Sequence, residues 1–125
     1  MKQIATAKAP AAIGAYSQAI WHENLLFCSM QIGIEPQSGV LQVGLEAQTR
    51  QIFLNLQEIL LAAELDLDCV LKVSVFLQDM SRFADFNLIY SQYFNQPYPA
   101  REVMEVSALP KMADIGISVI AGNVR

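Results

Sequence analysis

Between residues 45 and 77 the hydrophobic period changes once, and that change narrows the fold class. Over residues 46–64, together with Leu45, the apolar set Ile52, Phe53, Leu56, Ile59, Leu60 and Ala63 recurs with Thr49 at helical spacing. Gln48, Gln51, Asn55 and Glu58 fall on the opposite face, as an amphipathic helix requires. From Cys69 to Leu77 the period drops to two. Cys69, Leu71, Val73, Val75 and Leu77 would point one way, and Val70, Lys72, Ser74 and Phe76 the other. A long helix feeding a strand this apolar predicts a helix layer packed on a sheet.

The flanking segments extend the pattern. Residues 17–22 and 25–31 read as strands joined by a turn at Glu23-Asn24, and Pro36-Gln37-Ser38-Gly39 marks another turn. Residues 6–15, rich in Ala with Pro10 and Gly14, read as irregular. Asp79 or Ser81 can cap a second helix running to about Phe94, with Phe83, Phe86, Ile89, Tyr90, Tyr93 and Phe94 as its aromatic face. Residues 101–107 and 115–121 complete the set as strands. The order is ββαβαββ, with room for an extra N-terminal strand. It predicts a single α+β domain over 1–125, a sandwich of one mixed sheet with both helices on one face. Val70, Phe76, Arg101 and Val103 are expected on the other face, where a subunit contact would form.

Composition supports self-association. The 125 residues are 54% hydrophobic and 16% charged, against about 25% charged in ordinary soluble domains. A domain this small cannot bury so much apolar surface alone, which points to a closed symmetric oligomer. A membrane span is not the answer: Arg50, Gln51, Asn55 and Glu58 interrupt the long helix, and no run approaches about 20 apolar residues. Net charge is −4, with no Lys/Arg stripe to meet a nucleic-acid backbone. Met1-Lys2-Gln3-Ile4-Ala5 is not followed by a signal-type apolar core, so a cytoplasmic location is expected. Cys28 and Cys69 lie in apolar runs and read as buried small hydrophobes. His22 is the only histidine, there is no Cys-x-x-Cys, and Gly33 and Gly39 do not make a phosphate loop. Neither metal nor cofactor is signalled.

Arg101 is the residue with the most chemistry in it. Pro99-Ala100-Arg101-Glu102-Val103 delivers it into a strand. A planar, permanently charged fork held on a strand is a preorganised carboxylate clamp. The plainer reading is a surface arginine, or one paired with Glu102 or Glu105.

Several local patterns gain meaning together. They are Gly14-Ala15-Tyr16-Ser17-Gln18-Ala19-Ile20, Ser29-Met30-Gln31-Ile32, Gln48-Thr49 and Asn55-Leu56. Further on come Lys72 to Met80, Phe83, Phe86-Asn87, Tyr90, Pro99-Ala100-Arg101 and Leu109-Pro110-Lys111. In this order and spacing, from about Pro10 to Ala121, the chain resembles the reactive-intermediate deaminase family (RidA, also called YjgF). The resemblance implies a chorismate-mutase-like α+β fold and a homotrimer with clefts between subunits. It implies hydrolysis of reactive enamine and imine acids, such as 2-aminoacrylate and 2-iminobutanoate, to 2-keto acids and ammonia. By the same resemblance Arg101 matches the carboxylate-binding arginine and Tyr16 the pocket tyrosine, while Ser29 and Asn87 match residues near the cleft.

The chain departs from the family pattern at the site itself. Met30 stands where a glycine is expected, Ala15 for a proline, Val103 for a cysteine and Gly116 for a glutamate. Val103 can still offer its main-chain carbonyl. Gly116 offers no side chain, and a lost general acid or base costs about 10²–10⁴ in rate. Asp114 is the nearest substitute by sequence. The readings that follow are a weakened deaminase or a non-catalytic binder of small carboxylates. An RNA-cleaving role, which some relatives are labelled with, meets an acidic chain, and a holdase role rests only on the apolar surplus.

Overall fold

The computed structural model describes residues 1–123. Its strands are β1 (Lys2–Ile4), β2 (Ala19–His22), β3 (Leu25–Ile32), β4 (Val70–Leu77), β5 (Ala100–Glu105) and β6 (Ile115–Gly122). Helix α1 (Leu45–Ala62) follows β3, and α2 (Phe83–Tyr90) follows β4. The strands form one sheet in the order β1-β2-β3-β6-β4-β5. Only the β4–β5 pair is parallel. The expected ββαβαββ order therefore gains a strand at its start, where Lys2 pairs with Trp21 and Ile4 with Ala19.

The helices share one face of the sheet. Val73, Val75 and Leu77 of β4 and Ile115, Ile117 and Val119 of β6 are buried there beneath Ile52, Phe53, Leu56 and Leu60 of α1. Phe53 joins the two helices: it stacks on Tyr93 at 4.1 Å and meets Phe94 edge-on at 5.8 Å. α2 ends at Tyr90, four residues short of the expected Phe94, yet Tyr93 and Phe94 still pack from the turns beyond it. Its start is also later than expected: the Asp79 side chain accepts from Ser81 N–H but caps a short 3-10 turn, Met80–Arg82, and α2 itself begins at Phe83 after Arg82 with no side-chain cap.

Two expectations about facing are corrected. On β4, Val70 pairs with Ala121 but Lys72 pairs with Ile120, so an extra residue bulges between them. The bulge turns Val70 into the core and leaves Leu71 42% exposed, the reverse of strict alternation. On α1, Gln48, Gln51 and Asn55 are buried rather than solvated. The segment between β3 and α1 folds over them, and their amides satisfy its backbone: Gln48 Nε2 donates to Gln42 O (3.0 Å) and Asn55 Nδ2 to Ile34 O (3.0 Å). Buried amides of this kind persist because each is hydrogen-bonded.

Gln48 also reaches the sheet. Its Oε1 accepts from Asp114 N–H (2.8 Å) and its Nε2 donates to Asp114 Oδ2 (3.2 Å). Both cysteines are free and buried, as expected, and burial pushes the Cys28 thiol up to about 12. No helix among the described residues is long and apolar enough to cross a membrane.

The approach of α1 to the end of β3 is set by Gly33. A Cβ there would lie 2.6 Å from Gln48 Cα and 2.7 Å from Gln48 O, both backbone atoms. Overpacking of this kind costs about 1–3 kcal/mol and occasionally more. We expect Gly33→Ala to lie at the upper end of that range in denaturant unfolding, because helix backbone cannot step aside as a side chain can.

Candidate functional site

Arg101 lies on β5, the outer strand of the sheet. Register places it beside Val73, whereas Glu102 lies beside Ser74. Val73 belongs to the buried helix-side face, so Arg101 and Val103 are on that face too. The expectation that Val70, Phe76, Arg101 and Val103 share the open face is corrected: Phe76 is on it, and the other three are not.

The surroundings of Arg101 hold it in place without neutralising it. Its Nη1 donates to Asn87 Oδ1 (2.7 Å). Its guanidinium carbon lies 4.7 Å from the centroid of the Tyr90 ring and 5.5 Å from that of Phe83. Asn87, Tyr90 and Phe83 all come from α2, at positions that helical spacing brings to one side. The two glutamates that could have paired with Arg101 are engaged elsewhere. Glu102 accepts from Ser74 Oγ (2.6 Å) and pairs with Lys72 (3.4 Å), and these partners hold its carboxyl below the usual range. Glu105 accepts from Met80 N–H (2.8 Å). Among the described residues, no carboxylate lies within ion-pairing distance of Arg101. Tyr90 Oη is buried with no hydrogen-bond partner among the described residues. Burial pushes the Tyr90 phenol up, and the arginine charge partly offsets this.

The other expected site residues gather elsewhere. Tyr16, Ser29 and Met30 line a cavity of about 710 Å³ with Ile13, Ile34 and Lys111. One wall of it is the irregular segment around residues 6–15. Buried Gln18 pins that segment: its Nε2 donates to Pro10 O (2.7 Å) and Thr6 O (3.1 Å), and its Oε1 accepts from Thr6 N–H (2.7 Å). Ser29 Oγ donates to Ser17 O (2.6 Å), and Tyr16 Oη accepts from Ile13 N–H (3.3 Å). Gln18 and Gln48 carried no role in the sequence reading. An amide inside an apolar run was the available signal.

Met30 and Gly116 meet on the open face of the sheet, where Gly116 lies beside Phe76 and Ile32. A Cβ on Gly116 would lie 2.7 Å from Met30 Sδ and 3.1 Å from its Cγ. The thioether thus fills the space that a side chain at position 116 would need. Asp114 does not replace that side chain. It precedes β6, escapes the strand alternation and turns its carboxylate to Gln48 on α1.

The expected site residues therefore fall into two separate groups. β3 and β5 are separated by β6 and β4, so Met30 and Arg101 stand about 14 Å apart across the strands, on opposite faces. One copy of the chain does not bring them together.

Comparison with known proteins places this geometry. The family model described as endoribonuclease L-PSP matches residues 6–123. A RutC family protein of Sulfurisphaera tokodaii is 46% identical over 98% of this chain and 99% of its own length. The 2-iminobutanoate/2-iminopropanoate deaminase of Bos taurus is 44% identical over 96% of this chain and 88% of its own. The crystal structure of RidA from the Antarctic bacterium Psychrobacter sp. PAMC 21119 superposes with a TM-score of 0.94 at 40% identity, covering 98% of this chain and 99% of that one.

Two outcomes are expected from this geometry. Cation–π contacts are worth about 0.5–2 kcal/mol, or roughly 2- to 30-fold in binding. Calorimetric titration of 2-oxobutanoate should show a loss in that range for Tyr90→Leu, with Tyr90→Phe close to wild type. Gly116→Glu alone should lower the unfolding free energy by about 2 kcal/mol through overpacking on Met30. Adding Met30→Gly should return most of that loss in the same denaturation experiment.

Proposed function

The chain belongs to the RidA/YjgF family, and on that footing we propose that it hydrolyses reactive 2-enamine and 2-imine acids to 2-keto acids and ammonia. The observation that carries this reading is Arg101: strand-mounted, set over two rings, bonded to Asn87 and, among the described residues, free of any carboxylate partner. A cation so placed is matched to a small carboxylate arriving from solution. It fixes the substrate so that the imine carbon faces water, and positioning alone can supply a large part of the rate.

In the reaction, water adds to the imine carbon of R–C(=NH)–COO⁻. One proton passes from the attacking oxygen to nitrogen to give R–C(OH)(NH₂)–COO⁻; the hydroxyl proton then follows to nitrogen as the C–N bond breaks and C=O forms, and R–C(=O)–COO⁻ and NH₃ leave. In this reading the main-chain carbonyl of Val103, two residues after Arg101 on β5, holds the water. Position 116 supplies no acid or base, so the proton moves through water and the reaction is slow.

The same reading places the cleft between subunits of a homotrimer in the cytoplasm. It is supported by the separation of the two groups of site residues and by the apolar open face, where Phe27, Leu71 and Met104 are 40–43% exposed. A second reading, a carboxylate binder without catalysis, is favoured by one observation, Met30 lying over Gly116. The endoribonuclease name of the family model does not suit this chain as well, because a net charge of −4 offers a nucleic-acid backbone little attraction.

The assay generates 2-iminobutanoate in solution and follows its decay. We expect a modest acceleration by wild type and its loss in Arg101→Ala. The Met30→Gly/Gly116→Glu pair should exceed wild type by at least about tenfold, within the range a general acid or base supplies. Ligand binding without any acceleration at stoichiometric protein would establish the binder. Light scattering measures the assembly, and mixed trimers of Arg101→Ala and Tyr16→Ala chains should regain activity that neither has alone.

A further inference from the structure

We propose that the cavity lined by Tyr16, Ser29, Met30, Ile13 and Ile34 receives the substrate's side chain, and that it selects imines with long, unbranched apolar tails over those with one- and two-carbon side chains. This inference rests on the deaminase reading and goes beyond it in naming the substrate class.

Size is the first observation. At about 710 Å³ the cavity lies in the range that encloses drug-sized ligands. An ethyl or methyl side chain would leave most of it filled with water.

The chemistry of the walls is the second. Pro10, Ile13, Ile32, Ile34 and Pro36 contribute apolar surface, and the Met30 thioether lies at the contact with Gly116. Of the polar side chains at the wall, Ser29 Oγ gives its proton to Ser17 O, Tyr16 Oη accepts from Ile13 N–H, and Gln31 is itself buried. A polar tail would surrender its water contacts with few replacements, whereas an apolar tail gains from leaving water.

Lys111 is the one charged residue on the wall. Its backbone is left-handed, with φ 57° and ψ 23°, and it follows Pro110, which also lines the cavity. Its long stem can lie along the apolar wall while the ammonium stays in water at the mouth. That leaves the interior free for a hydrocarbon chain. An acidic tail drawn to the ammonium is the rival arrangement.

Met30 links the cavity to the reacting centre of the deaminase reading. A carboxylate at position 116 would be solvated and would hold water around it. With Gly116 covered by sulfur, this part of the wall is apolar. The Met30–Gly116 contact therefore extends the hydrophobic surface available to a tail.

The test has two measurements. The first titrates 2-oxobutanoate, 2-oxopentanoate and 2-oxohexanoate into wild type and follows binding without any requirement for catalysis. Affinity should rise about fourfold per methylene. The second compares imine decay for substrates generated from alanine, 2-aminobutanoate, norvaline, norleucine and glutamate. Acceleration should rise along the apolar series, and the glutamate-derived imine should fall below that from norvaline. Ile13→Ser, at a residue 83% exposed and outside the core, should flatten both series. Imine decay that ignores chain length, or favours the acidic tail, overturns the cavity assignment and leaves the deaminase reading standing. Affinity that rises with length while no imine decays supports the cavity and overturns the deaminase reading. An unaltered slope in Ile13→Ser overturns the location.

Discussion

The contact between α1 and the strand ends at Gln48 sets the height of the helix layer over the sheet. Gly33 lets the Gln48 backbone come within a distance no Cβ would allow. The Gln48 side chain then ties Gln42 and Asp114 to the helix. These hydrogen bonds link the loop after β3, the first turn of α1 and the start of β6. Phe53, one turn further on, meets Tyr93 and Phe94, so the position of α2 follows from that of α1. Since α2 carries Asn87, Tyr90 and Phe83, the orientation of Arg101 depends on the same seating.

Arg101 illustrates how a strand and a helix together prepare a charge. β5 fixes the Cα, Asn87 takes one N–H, and two aromatic faces lie near the guanidinium. The flanking carboxylates are drawn off to Ser74, Lys72 and Met80 N–H. Side-chain entropy is thereby lost before a ligand arrives, which lowers the cost of binding. The unpaired Tyr90 hydroxyl is a local cost to stability, of a kind that accumulates near binding sites.

Met30 and Gly116 are best understood as one feature. Each is a departure from the family pattern that the sequence reading treated separately. In the structure the thioether stands in the space above the glycine, so either change alone would leave a clash or a void. The pair keeps the sheet packed and makes this part of the open face apolar.

The local hydrophobic period made most of the elements legible. α1, β4 and β6 follow it within a residue or two, and the hairpin turn at Glu23-Asn24 lies between β2 and β3 as expected. The family likeness was also readable, because it rests on residue identity and spacing. What the sequence could not settle was facing. The bulge at Leu71 reverses part of β4, the parallel register of β5 puts Arg101 on the helix side, and loop 33–44 buries amides of α1 that helical spacing sets on the polar face. Nor could it show that Met30 fills the space over Gly116. Period is a property of consecutive residues, so the sequence by itself determined the elements and the cation. Facing, register and void-filling depend on partners distant in the chain, so only the tertiary structure decided which side Arg101 presents and what lies above Gly116.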